Sequence, residues 1–279
     1  VMYEEPYKWV EAVGNRRHYL DEQFRRGSPV VAASYADGIV LVTYTRGTPK
    51  LYEIYDRLAV GGMGHPADLE KLRFTLLEMA HVEGFNRSPS DVTGSRLLKN
   101  GLAPIVKQAF EEIYKAPFIV KILLAELGLK AGRDIFLTMN YDGTFEELTG
   151  WAVLAASPSV QSSMHAWLRQ HGHFNQGSLS QVLSIALLAW GVGSLAQREE
   201  EQTGTASDTA VSVNVTADVQ PVVPERDVVL KHVRQAATDL SIECAVLSRT
   251  ASGPSKYRAL KPNELPELLS LDLNPATNR

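Results

Sequence analysis

The chain has 279 residues, 44% of them hydrophobic, enough for one large core or two small ones. Its formal net charge of −4 gives no basic excess of the kind nucleic-acid binders carry, and its single cysteine, Cys244, excludes an internal disulfide, which fits a reducing compartment and equally a secreted protein without bridges. No uninterrupted apolar run approaches the roughly 18 residues a membrane span needs.

The acidic start, VMYEEPYKW, lacks the positive charge of a secretion signal. Residues 8–26 are predicted helical, with Trp9, Val13, Leu20 and Phe24 on one face and Arg16, Arg17, Asp21 and Arg25 largely off it. Gly27 and Pro29 end that helix. Val30–Ala33 and Ile39–Thr43 flank Ala36-Asp37-Gly38 and read as a hairpin, and 50–62 holds two more short strands around Asp56-Arg57. Pro66 opens a helix lined by Leu69, Leu72, Leu76 and Met79. A second helix is expected over 91–114, bent at Pro104 and capped by Asp91. Strands follow at 118–127 and 134–143, the latter ending in the turn signal Asp142-Gly143, with a return strand over 148–157.

Residues 159–171 predict a third helix. Ser178 and Gln181 form a capping-box pattern that starts a fourth, running to about Gln197 through the apolar stretch VLSIALLAWGVGSL. From 199 to 227 long aliphatics and aromatics vanish, which predicts a mobile insertion. A helix or helix tail at 226–239, a hairpin from 240–249 and 256–260, and a short helix at 263–271 complete the chain, with 272–279 as a fraying tail. Runs of strands alternate with pairs of helices. The economical arrangement is a single α+β domain in which two stacked antiparallel sheets are covered by helices on both outer faces. His171 and His173 lack an accompanying carboxylate or cysteine, so neither a metal nor a cofactor is expected.

At this point the sequence resembles a known family. RRGSPVVAASYADGIVLVTYTRG at 25–47, continued by KLYEIYDRLAVGGMGHPADLEKL from Lys50, is similar to proteasome core-particle subunits. RSPSDVTGSRLL at 87–98 resembles the R-x-D-V-T-G stretch of actinobacterial α subunits, and LSIECAVLSR with YRALKPNEL resembles their C-terminal hairpin and helix. The likeness spans roughly residues 7–271, the insertion apart. It implies the four-layer αββα sandwich of the N-terminal nucleophile hydrolases, with an extra N-terminal helix.

The family contains catalytic β subunits, which use an N-terminal Thr supported by an Asp and a Lys, and non-catalytic α subunits, which form seven-membered rings and gate the chamber. Alignment on Asp37-Gly38 places Ser28 in the nucleophile column, Tyr44 in the column of the supporting carboxylate, and Lys50 in that of the lysine. A phenol holds no negative charge near neutral pH. An alcohol is a weak nucleophile without a base, and here the α-amine exists only after cleavage before Ser28. Pro29 would also lock the backbone beside it.

The favoured reading is an uncut α-type subunit that is not itself an enzyme. It is expected in the cytoplasm, away from nucleic acid and membranes. Its partners would be six further copies of itself, a β-type ring, a ring ATPase or other activator, and unfolded substrates in transit. Two alternatives stay open: a self-processed amidase or peptidase using Ser28, and a stand-alone ring scaffold. The resemblance implies that Lys50, with Gly64 beside it, receives an activator's C-terminal carboxylate. It also implies that residues 1–7, including Tyr3, Pro6 and Tyr7, form the gate, and that Asp91 and Arg96 lie at a ring contact.

Overall fold

Short runs of β-branched and small residues build the first hairpin. In the computed structural model, which describes residues 5–172, 174–204 and 223–269, β1 (Val30–Tyr35) pairs antiparallel with β2 (Gly38–Thr45) across the expected Ala36-Asp37 turn. Both strands are buried along their whole length, so each face has a cover.

The remaining strands are β3 (Leu51–Tyr55), β4 (Leu58–Gly64), β5 (Val120–Glu126), β6 (Ile135–Met139), β7 (Phe145–Leu148), β8 (Trp151–Leu154), β9 (Ser241–Ser248) and β10 (Tyr257–Ala259). They form two five-stranded antiparallel sheets, ordered β10-β9-β2-β1-β8 and β3-β4-β5-β6-β7. Alternate residues of each strand serve different cores. Val30, Ala32, Ile39 and Leu41 meet Ala59, Met63, Leu123 and Phe136 between the sheets. Val31, Ala33, Val40 and Val42 face the other way, onto α4 (Pro158–His171), α5 (Leu179–Gly204) and α6 (Arg226–Asp239), through Trp167, Leu187, Trp190 and Val233. Val60, Ile122, Leu124 and Leu137 pack under α2 (Pro66–Asn86) and α3 (Ala103–Glu111), through Leu72, Leu76 and Val106.

Several local expectations change. The run at 148–157 is not one return strand. Gly150 takes φ +83 and divides it, so that β7 closes the hairpin on β6 while β8 joins β1 in the other sheet. The expected 91–114 helix is a short 3-10 turn at Pro89–Asp91, a π-helical stretch over Arg96–Leu102, and then α3, which starts just before Pro104. Proline lacks an N–H and crowds the carbonyl four residues back, and the wider π turn leaves it room. Asp91 caps no helix. It is exposed at the end of the 3-10 turn, whose cap is Ser88, with Oγ accepting from Ser90 N at 3.3 Å.

The capping box at α5 forms as read: Ser178 N donates to Gln181 Oε1 at 3.0 Å and Gln181 N to Ser178 Oγ at 3.4 Å. The helix runs on to Gly204, so Glu199–Glu201 belong to it, held partly by Ser157 Oγ donating to Glu200 Oε1 at 2.9 Å. Residues 205–222, the heart of the expected insertion, and 270–279 lie outside the described residues. By length and composition α5 is the one described helix apolar enough to cross a membrane, with a mean hydropathy of 1.6 over its most apolar window. Of that window 61% is buried, so its apolar face is used by the core.

Candidate functional site

The leader helix α1 (Glu5–Phe24) decides what stands in front of Ser28. Leu20 and Phe24 are fully buried in the core between the sheets, with Val13 packed against it, while Trp9 is 47% exposed where the helix runs past the body. Phe24 stacks on Tyr141 at 5.7 Å, and Tyr141 Oη donates to Asp21 Oδ1 at 2.8 Å. The Lys121 ammonium sits 4.9 Å from the Phe24 ring centre and donates to the carbonyls of Ala155 and Ala156 at 2.8 and 2.9 Å. Burial lowers the Lys121 pKa to about 8, against the pull of Asp21 and Asp142.

The strongest tie is Arg16. Its guanidinium donates to the carbonyls of Ala109, Phe110, Glu112, Ile113 and Lys115 at 2.7–3.1 Å. These carbonyls lie in the last turn of α3 and in the segment just past it, where helix-end acceptors need donors and a cation complements the helix dipole. At the other end of the leader, Gln197 Nε2 on α5 donates to Arg25 O and Gly27 O at 3.2 and 2.8 Å. A cavity of about 440 Å³ beside α1 is lined by Arg17, Asp21, Lys121, Tyr141, Glu146 and Gln161.

Ser28 follows directly, half-buried, with its Oγ accepting from Trp190 Nε1 at 2.9 Å. Thr43 Oγ1 lies 3.4 Å away, but its proton goes to Pro29 O at 2.6 Å. Among the described residues no carboxylate or imidazole is hydrogen-bonded to Ser28. Tyr44 is fully buried against Trp190, ring centres 4.2 Å apart, and its hydroxyl reaches Val233 O at 3.4 Å. Burial pushes that phenol further above its ordinary range. His232, an imidazole in this layer, stacks on Trp190 at 6.2 Å and bonds Ser194 Oγ at 2.9 Å. Burial, aided by Arg198, lowers its pKa to about 4, which keeps it neutral. The Ser28 hydroxyl thus receives a hydrogen bond and meets no base.

Lys50 lies just before β3, across from the Gly61-Gly62 pair of β4. Gly62 N donates to Lys50 O at 3.0 Å. On the other side Glu243 of β9 takes the amides: Lys50 N lies 3.0 and 2.9 Å from its two carboxylate oxygens, and Leu51 N lies 2.9 Å from Oε1. Burial brings the Lys50 pKa down to about 8. Glu243 opposes that shift and Arg46 adds to it. Among the described residues the Lys50 ammonium forms no ion pair.

Gly64 closes β4 with φ +130, and a Cβ there would stand 2.1 Å from Ile119 O. The close backbone approach that requires glycine is therefore made by the chain's own β5 side. Pro6 and Tyr7 lie in the first turns of α1, while Tyr3 lies outside the described residues. Arg96 is paired within the chain to Glu83 at 2.9 Å and does not meet Asp91. His171 stacks on Trp167 at 3.9 Å and bonds Trp167 O at 3.1 Å; His173 lies outside the described residues.

The structure brings Ser28 and Tyr44 together around Trp190 and sets Lys50 apart with Glu243. Arg16, Trp190, Gln197 and Glu243 were not singled out from sequence. The expectation that Arg16 lies off the apolar face is corrected: position 16 falls on the same stripe as Val13 and Leu20, and its side chain turns to the body.

No protein-family profile matches the chain. Curated relatives do. A "Proteasome subunit alpha" from a Nocardioides species is 28% identical over 257 residues, covering 91% of this chain and 84% of its own length. Proteins of the same description are 32% identical in Kineococcus radiotolerans (68% of this chain, 78% of the relative) and 31% identical in Frankia casuarinae (66% and 75%). Likeness at that level across most of the relatives' length, joined to two antiparallel sheets behind a built-in leader helix, gives one conclusion: the chain belongs to the proteasome α-subunit family and so to a proteolytic assembly.

Proposed function

We propose that this chain is the non-catalytic outer-ring subunit of a bacterial proteasome core. Seven copies form a ring that stacks on β-type subunits carrying the threonine nucleophile. The ring narrows the opening through which unfolded chains pass and presents Lys50 pockets to the C-terminal carboxylates of a ring ATPase. Gly64 joins Lys50 in receiving the activator, the first seven residues serve as the gate, with Tyr3, Pro6 and Tyr7 as its packing residues, and Asp91 and Arg96 lie at the contact between neighbouring subunits. The sheets and helices are then the αββα sandwich of the N-terminal nucleophile hydrolases, retained as a scaffold in the cytoplasm.

The observation that carries this reading is the leader. Its last two turns supply Leu20 and Phe24 to the core, and Arg16 and Gln197 fasten both of its halves to the body. Its removal would open the core, whereas a disposable pro-segment leaves a finished fold behind. Ser28 meanwhile lacks both a base and a free amine.

Co-expression with a β-type partner tests the reading. Stacked particles by electron microscopy and peptide hydrolysis that survives Ser28→Ala are expected. Lys50→Ala should assemble normally and abolish ATPase-stimulated degradation. Absence of any stacked complex would favour a stand-alone ring, and stimulation unchanged by Lys50→Ala would remove the docking role.

A further inference from the structure

Glu243 comes from the sheet that does not contain Lys50, and its side chain crosses to the start of β3. Both of its oxygens meet main-chain donors, the amides of Lys50 and Leu51. With Gly62 N on Lys50 O, the peptide groups on either side of the Lys50 Cα are fixed. Among the described residues the carboxylate meets these two amides and forms no ion pair with the Lys50 ammonium. Lys50 therefore keeps its donors open while a negative charge lies close by.

Had Glu243 paired directly with that ammonium, an incoming carboxylate would have had to displace it. We propose that Glu243 is the positioning residue of the Lys50 pocket: it holds the backbone that carries Lys50 and keeps the ammonium charged but unpaired, ready for the terminal carboxylate of a peptide. This rests on the reading of Lys50 as a docking cation.

The groups around Lys50 fit the role. Arg46 from the β2–β3 loop repels the ammonium and Glu243 from β9 attracts it. Tyr52 Oη donates to Pro49 O at 2.9 Å and Tyr257 Oη of β10 to Leu51 O at 3.2 Å. Burial raises the pKa of both phenols, Tyr52 to about 12, so neither carries charge where Lys50 titrates. On α2, Glu70 and Arg73 neutralise one another at 2.7 Å. β4 contributes only Gly61 and Gly62 at this point. Among the described residues Glu243 is therefore the attractive charge set against burial and Arg46.

Trace acetylation of Lys50 by acetic anhydride at stepped pH, read by mass spectrometry on the assembled particle, reports the amine's protonation midpoint. The wild-type midpoint is expected near 8. Glu243→Gln removes the attraction, and a fall of about one pH unit is expected. Hydrogen exchange at the Lys50 and Leu51 amides should quicken by about tenfold as their acceptor weakens. The alkaline limb of ATP-dependent casein degradation should move down with the midpoint and recover on acidification, which a purely structural defect would not do.

A midpoint that stays put in Glu243→Gln overturns the proposal. Should that variant not fold, Glu243→Asp keeps the charge but shortens the arm, and unchanged exchange of the two amides overturns it equally. Lys50→Ala separates this from the docking role. If stimulation survives Lys50→Ala, docking lies elsewhere, while the acetylation midpoint still judges Glu243.

Discussion

Phe24→Ala tests whether the leader belongs to the fold. Phe24 is fully buried, stacks on Tyr141 and lies under the Lys121 ammonium. Truncating a buried phenylalanine typically costs about 3–5 kcal/mol, through lost transfer energy plus the cavity left behind. The upper half of that range is expected, because Lys121 also loses the ring it lies against and faces a void. Urea unfolding followed by tryptophan fluorescence, at fixed protein concentration, measures the change. Trp167 and Trp190 report well, being nearly fully buried on the far side of the first sheet, away from Phe24. A single transition moved to lower urea, with its slope unchanged, means the leader unfolds together with the body. A shift below about 1 kcal/mol, or, in a Trp9→Phe background that leaves no tryptophan on the leader, an early loss of helix by circular dichroism that leaves the tryptophan signal alone, would refute the reasoning.

Arg16→Met keeps the aliphatic length but removes the guanidinium from five carbonyls, and a loss of about 2–3 kcal/mol is expected in the same assay; Arg16→Lys should recover less than half, since an ammonium cannot match the guanidinium fork. Ser28→Ala leaves Trp190 Nε1 without its acceptor and should cost about 1–3 kcal/mol by thermal or urea unfolding, with peptide hydrolysis by the assembled particle unchanged. Unfolded, His232 takes its proton near 6.5; folded, it does so only near 4. Between those values the unfolded state holds more protons, so stability falls as pH drops from about 6.5 to about 4 and levels off below. That difference is worth roughly 3 kcal/mol; urea midpoints at several pH values should show it, and His232→Gln should flatten that part of the profile.

The architecture was legible because local signals agreed with one another. The Ala36-Asp37 turn, Pro66 at a helix start, the Ser178–Gln181 box and the Asp142-Gly143 hairpin all stand where they were read. Motif order carried the family. What stayed hidden was non-local. The division of 148–157 depends on Gly150 sending the chain from one sheet to the other, and periodicity within a single strand does not record which sheet receives it. Arg16 looked like a solvated arginine because the carbonyls it meets lie more than ninety residues away. Tyr44 could be read as a missing carboxylate, but Trp190 as the donor to Ser28 could not, since Trp190 sits in the apolar run of α5 and looks like a core residue. Glu243 had no signal beyond being the one acidic residue of its strand.

The mass of this subunit taken from the assembled, peptide-hydrolysing particle tests the central claim most directly. A non-catalytic subunit with a permanent leader predicts one species in which residues 1–27 remain joined to Ser28. A species beginning at Ser28, with its α-amine freed, would contradict the account and make Ser28 a nucleophile.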